Sequence, residues 1–437
     1  MTGPAQATRF LPAALARLGA DRTVRLSLTT RIVQGVMTVG MLGFVLLHLS
    51  PVEQGYFFTQ TSLGALQLLT EFGMSYALMQ TASHLADEHH AGQIPALFRS
   101  ALRHNAAATI GGGLLVALLG VAVLRTHSDG AGASVHWLGP WLAFVVAIAA
   151  YQQLQPRIAL LEGAGFTADV WHWRAVQELV GGLALLVALA AGAGLWASAI
   201  GYVARSAFAI GWQRDVHRLL SMETTGDGVP WSGVWPFQWR VGLSLLSAFL
   251  LFQFLGPLLF AVAGPMVAGR IGLALTLSNG TIAVSTAWLS SQAPGFGQLT
   301  ARRAWAELDA RFRRVLGASL LFSAAVAGSV VGAVALAQVL APALAPRFPS
   351  MALLVPLMSA AVVHHYLFAI TTYLRAQREE PLLPLYVVGS VVTAVALVIA
   401  ARTGPPVAAA ATYFACAVIG AALATMTFAR ARRLRPA

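Results

Sequence analysis

Residues 106–124 read AAATIGGGLLVALLGVAVL, an uncharged stretch set between Arg103 and Arg125. A bilayer core of about 30 Å is crossed by roughly 20 helical residues, and this stretch has that length. Working outward from it, similar apolar runs lie near 26–49, 55–82, 105–125, 137–161, 175–193, 195–213, 241–262, 267–290, 316–340, 350–373, 382–401 and 404–428. The expectation is an all-α polytopic membrane protein with about twelve transmembrane helices. The fifth and sixth runs nearly touch, so that boundary carries the least sequence signal.

Composition agrees. Of 437 residues, 57% are hydrophobic and 10% charged, against about 25% charged in soluble domains. So few charges cannot cover a water-exposed surface. All 28 basic residues are arginine, which reads as compositional bias, so arginine at any one position says little about bidentate recognition. The single Cys416 forms no intramolecular disulfide and leaves the redox compartment open.

The arginines set an orientation, because basic residues in short loops stay on the cytoplasmic side. With both termini inside, the outer connections hold only Arg125, Arg347 and Arg402. Arg31, Arg205 and Arg270 fall within or at the edge of apolar runs, and the other 22 lie on inner flanks. The stretch before Leu26 carries Arg9, Arg17, Arg22 and Arg25 without a small-residue cleavage site, so it reads as a retained cytoplasmic segment. The net charge of +12 then reports topology and contact with membrane lipids, not nucleic-acid binding.

The longest polar interruption on the inner side is Leu219–Pro236, at the midpoint of the chain. The expected organisation is a cytoplasmic segment 1–25, a six-helix bundle 26–218, a linker 219–236, a second six-helix bundle 237–428 and a basic tail 429–437. An internal echo supports duplication: Ser50-Pro51-x-x-x-Gly55 after the first run matches Gly264-Pro265-x-x-x-Gly269 after the seventh. Gly297–Leu316 interleaves Arg302, Arg303, Arg311, Arg313 and Arg314 with Trp305, Leu308 and Phe312, which suits a basic helix lying at the headgroups. No outer connection is long enough for an extracytoplasmic catalytic domain.

Three stretches carry a family resemblance: Leu49-Ser50-Pro51-Val52-Glu53-Gln54-Gly55-Tyr56 leading to Glu71-Phe72-Gly73; Leu161-Glu162-Gly163-Ala164-Gly165; and Trp235-Pro236-Phe237-Gln238-Trp239-Arg240 through Gly264-Pro265. They resemble the polysaccharide (O-antigen, Wzx-type) flippase branch of the MOP superfamily, which also contains MATE drug exporters and lipid II flippases. The resemblance implies a bacterial inner membrane and two six-helix bundles in a V, with alternating access to a central cavity. The implied substrate is an undecaprenyl-pyrophosphate-linked oligosaccharide, and a glycan polymerase or other pathway protein is an implied partner. Lipid II flippases usually have fourteen helices. Major-facilitator carriers have twelve, but their Asp-Arg-x-Gly-Arg-type loop is absent from His84–Arg103.

Ionisable side chains inside a bilayer are costly and default to a functional role. Four stand out: Arg31, Glu71, Arg205 and Arg270. Arg31 and Glu71 reach similar depths near the inner side, so they either staple the first two helices as an ion pair or place a cation in the cavity. Arg205 lies mid-helix with no acidic residue within a turn on its own helix. Arg270, just after Gly269, sits near the outer end of the eighth run, and cavity arginines on helices 1 and 8 are what the resemblance implies. Three arginines at three depths would give a pyrophosphate a route of charge-assisted contacts.

The remaining candidates are milder. Arg174 and Glu178 are spaced as an i,i+4 pair. Gln253 and Asn279 can bind sugar hydroxyls or link helices. Gly256-Pro257 interrupts the seventh run and permits a hinge. His364-His365 lacks metal-ligand spacing, so no metal is expected. No phosphate-cradling loop is present, and neither a cofactor nor an enzymatic activity is expected. Energy comes from an ion gradient (H+ or Na+), the membrane potential or product consumption. The competing reading is a MATE-like ion-coupled exporter of small molecules or drugs, for which Glu71 is the one good carboxylate. A membrane-embedded glycan transferase would need a carboxylate dyad or a polar re-entrant loop, and neither is seen.

Overall fold

The computed structural model describes residues 22–87, 94–130, 132–213, 231–290, 292–377 and 381–433. Within them all regular structure is helical. The helices are α1 (Arg22–His48), α2 (Pro51–Leu68), α3 (Met74–Asp87), α4 (Ile94–Leu124), α5 (Leu138–Gln152), α6 (Gln155–Gly163), α7 (Thr167–Ala190) and α8 (Trp196–Gln213). They continue as α9 (Trp231–Phe252), α10 (Leu255–Ala263), α11 (Pro265–Ser290), α12 (Ala293–Ala301), α13 (Trp305–Leu340), α14 (Met351–Ala376), α15 (Leu383–Thr403) and α16 (Pro406–Arg433). Each of the twelve apolar runs falls on helix. Among the described residues eight helices are long and apolar enough to cross a membrane alone, or nine if the bent pair α9–α10 counts as one span. Much of their surface is exposed hydrocarbon, with Leu321 and Val339 both 75% accessible. Such an exterior belongs in lipid.

Three runs are broken, and each break has a local cause. Between α5 and α6, Pro156 has no N–H to give to the carbonyl of Gln152, one turn back. That carbonyl instead accepts Asn105 Nδ2 at 3.0 Å. Between α2 and α3 the chain turns at Phe72 (φ 53°) and Gly73 (φ 79°). Here the carbonyl of Gln67 is bonded by Gln152 Nε2 at 2.6 Å and that of Glu71 by Gln238 Nε2 at 3.2 Å. Between α9 and α10 the axis bends by 44°, one turn before Pro257, whose ring crowds the Gln253 carbonyl. In hydrocarbon a freed backbone group must find a protein partner, and buried amide side chains supply it at the first two breaks.

The chain divides into two units, residues 1–44, 67–115 and 142–242 in one and 45–66, 116–141 and 243–437 in the other. This grouping differs from two consecutive halves, because the first turns of α2 pack on α11. Gly55 allows that approach: a Cβ there would lie 2.0 Å from the Pro265 carbonyl oxygen. The two echoed motifs, Ser50–Gly55 and Gly264–Gly269, therefore meet each other. Gln54 Nε2 reaches the Gly269 carbonyl at 3.2 Å, and Arg347 Nη1 donates to the carbonyls of Leu46 and Leu49, the latter at 2.7 Å. Ser50 and Glu53 form a reciprocal cap at the start of α2.

In the first unit Met74, Leu78, Leu97, Phe98 and Leu160 pack α3, α4 and α6 together. In the second, Leu259, Ile271, Leu354 and Tyr413 fill the space among α10, α11, α14 and α16. Two expectations need correction there and at the linker. The basic segment 297–316 is not a separate surface helix, since α13 begins at Trp305 and runs unbroken to Leu340. Leu308 and Phe312 are buried against Phe296, Tyr373 and Phe428, and Asp309 binds both Tyr373 and Arg432, which anchors this end of the helix. The linker expected over 219–236 is helical from Trp231 onward. Its earlier part, the N-terminal residues 1–21 and the tail 434–437 lie outside the described residues.

Candidate functional site

The first unit contains a polar cavity of about 270 Å³ among α1, α5, α6 and α7. Helix α1 contributes Thr30, Arg31 and Gln34, helices α5 and α6 contribute Tyr151 and Gln155, and α7 contributes Trp171, Arg174, Gln177 and Glu178. The α7 residues recur at i, i+3, i+6 and i+7, one face of a helix. Thr30 joins two walls by donating to the Trp171 carbonyl at 3.0 Å.

Glycines bring the next helix in. The Gly201 Cα lies so close to α7 that an added Cβ would be 3.1 Å from the Gly181 carbonyl, and one on Gly181 would sit 2.1 Å from Arg205 Cγ. The stem of Arg205 thus lies across Gly181, and its Nη2 reaches Glu178 Oε2 at 2.9 Å. Its guanidinium also stands 5.1 Å from the ring centre of Tyr202, which meets Tyr151 edge-on.

The electrostatics follow from the pairings. Arg174 Nη2 donates to Glu162 Oε2 at 2.9 Å and stacks over Trp171 at 5.1 Å. Arg174–Glu162 and Arg205–Glu178 neutralise each other pairwise. Arg31 makes no hydrogen bond or ion pair among the described residues. Among the described residues the cavity is left with one unbalanced positive charge, together with an amide on Gln177 whose Nε2 and Oε1 find no partner. Gln177 is 2% exposed, and a buried amide is costly unless water or a polar guest meets it.

Several expectations change here. Arg31 and Glu71 do not pair, because the Glu71 carboxylate accepts Ser75 Oγ at 2.7 Å at the α2–α3 break. Arg205 is not alone, since its partner comes from the neighbouring helix across Gly181. Glu178 pairs with Arg205 and not with Arg174, whose side chain turns to Glu162. Arg270 is in the second unit, where its Nε donates to the Pro346 carbonyl at 2.8 Å. Of the expected site residues only Arg31 lines this cavity; Arg205 stands behind its wall, held by the lining residue Glu178, while Glu71, Arg270, Gln253 and Asn279 do not line it. Gln253 sits at the α9–α10 bend beside Gly256 and Pro257. Sequence reasoning passed over Gln177, Tyr151, Gln155 and Trp171, although the polar face of α7 was a readable signal. No group of three or more metal-ligating side chains occurs among the described residues.

The chain resembles an inward-facing multidrug resistance MATE family transporter of the MOP superfamily, with a TM-score of 0.65 at 13% identity over 94% of this chain and all of that one. The fold is that of the MATE transporters. A variant of a Vibrio cholerae MATE transporter matches with a TM-score of 0.62 at 12% identity, over 94% of this chain and 98% of that one. A MOP superfamily transporter from Pyrococcus furiosus, described by a reverse polarity of its binding pocket, matches with 0.54 at 16% identity, over 93% and 95%. No sequence-family model and no curated protein sequence matches the chain. The MATE fold at these identities speaks for architecture, and the cavity must speak for substrate.

Proposed function

We propose that the chain is a MOP-type flippase that moves an undecaprenyl-pyrophosphate-linked oligosaccharide from the cytoplasmic to the outer leaflet of a bacterial inner membrane. On this reading it spans the membrane twelve times with both ends inside. The observation that carries it is Arg31, which has no partner among the described residues, in a cavity whose other charges cancel. A pyrophosphate brings about two negative charges, and guanidinium groups meet them with charge-assisted hydrogen bonds. Aromatic rings of Trp171 and Tyr151, with the amides of Gln155 and Gln177, offer a sugar its apolar faces and hydroxyl partners. A cationic drug is poorly served, because Glu178, the carboxylate that lines this cavity, is held by Arg205.

Proteoliposomes carrying a fluorescent polyprenyl-pyrophosphate glycan test the reading. Wild-type protein should expose the glycan to an external enzyme, and Arg31→Ala and Arg205→Ala should not, although both insert normally. Unchanged flipping in both variants, or ion-driven efflux of cationic dyes by wild type without glycan flipping, overturns it.

A further inference from the structure

The second unit holds another cavity, about 210 Å³, between α9, α14 and the start of α15. Its chemistry is graded along α14. At one end lie Arg375 and a hydroxyl pair, Thr371 Oγ1 and Tyr386 OH, 2.5 Å apart. The other end is apolar, walled by Leu251, Phe252 and Leu367 and stopped by His364. His364 Nδ1 lies 2.8 Å from the Ala360 carbonyl, and its ring meets Phe252 edge-on with centroids 4.9 Å apart.

From this geometry we infer that the cavity is a binding site for one acyl chain of an anionic phospholipid, whose headgroup lies at Arg375. The length fits. His364 and Arg375 are eleven residues apart, about 16 Å of helix, and one leaflet of a 30 Å hydrocarbon core is about 15 Å deep. An undecaprenyl chain, several times longer, would overrun the His364 end. The charge fits as well, since the cationic and hydroxyl groups gather where a phosphate and its glycerol esters would sit. The chain tip reaches Phe252, the last residue of α9 before its 44° bend, so the bound lipid wedges the side of the bend. This site is separate from the cavity of Arg31 and does not depend on the identity of the transported molecule.

Native mass spectrometry of the full chain in detergent, with added phosphatidylglycerol, phosphatidylcholine or undecaprenyl phosphate, reads the site directly. Phosphatidylglycerol should be retained about fivefold over phosphatidylcholine, Arg375→Gln should erase that preference, and Leu367→Trp should reduce retention about fivefold by filling the cavity. A phosphatidylglycerol with a photoreactive group at its chain end should label Leu251, Phe252 or Leu367 in the unmodified protein, which requires no variant to fold. Labelling confined to the exposed residues of α13 and α15, retention unaffected by Leu367→Trp in a folded protein, or undecaprenyl phosphate displacing the phospholipid would overturn the assignment.

Discussion

Arg205 Nη2 stands 2.9 Å from Glu178 Oε2, with the arginine stem laid over the bare backbone of Gly181. Both side chains keep about a fifth of their surface exposed, so the pair is not fully desolvated. Removing one partner of a fully buried pair costs about 3–5 kcal/mol, and partial exposure lowers that cost here. Arg205→Met and Glu178→Leu should each lower the thermal midpoint in detergent, and the double variant should recover most of the loss while remaining inactive in transport. Additive losses in the double-mutant cycle would remove the pair as a stabilising unit.

Arg31 has a different balance. It has no partner among the described residues, so Arg31→Ala should leave the thermal midpoint within the range of a surface substitution, about 0.5 kcal/mol. Substrate binding should fall about tenfold to a hundredfold, the value of a hydrogen bond to a charged group of about 1.5–3 kcal/mol. Titration with a soluble pyrophosphate-containing substrate analogue checks the second half.

Gln177 is buried, and neither amide atom has a partner among the described residues. Replacing it with leucine removes an unsatisfied group at nearly constant volume, and should stabilise the empty protein by about 1 kcal/mol. Binding of the glycan should weaken in the same variant. A fall in both stability and binding would mean that Gln177 serves packing alone.

At the contact of the two echoed motifs, Gly55 admits no side chain, because a Cβ would lie 2.0 Å from the Pro265 carbonyl oxygen. Gly55→Ala must push α2 away from α11, at a cost of about 1–3 kcal/mol for overpacking. We expect a lower melting temperature and faster labelling of a cysteine placed at Pro265 in a Cys416→Ala background. Wild-type labelling rates would mean that this contact yields without loss.

Pro257→Ala restores an amide hydrogen to meet the Gln253 carbonyl. The bend between α9 and α10 should relax from 44°, with equal or greater stability and slower transport if the bend works as a hinge. Spin-label distances across the bend, measured beside flipping rates, test both parts; an unchanged angle would assign the bend to tertiary packing.

The apolar runs were legible because hydrocarbon imposes a length and forbids charge, and both constraints are written residue by residue. The break before Pro257 was readable for the same local reason. The break at Phe72-Gly73 was harder, since no proline marks it and its freed carbonyls are bonded by Gln152 and Gln238, far away in sequence. Arg31 and Arg205 were found as charges in the wrong medium. Their partners were misread, because i,i+4 spacing favoured Arg174 for Glu178 while Gly181 and Gly201 brought Arg205 closer from another helix.

The sequence by itself determined an all-helical membrane protein, the residues whose charge required explanation, and the two motifs that echo each other. Only the tertiary structure decided which charges cancel, that Arg31 is left over among the described residues, and that the echoed motifs touch. Burial in lipid is a property of each residue's own solvation. Pairing depends on how closely two backbones approach, and here that distance is set by glycines whose contacts lie on other helices.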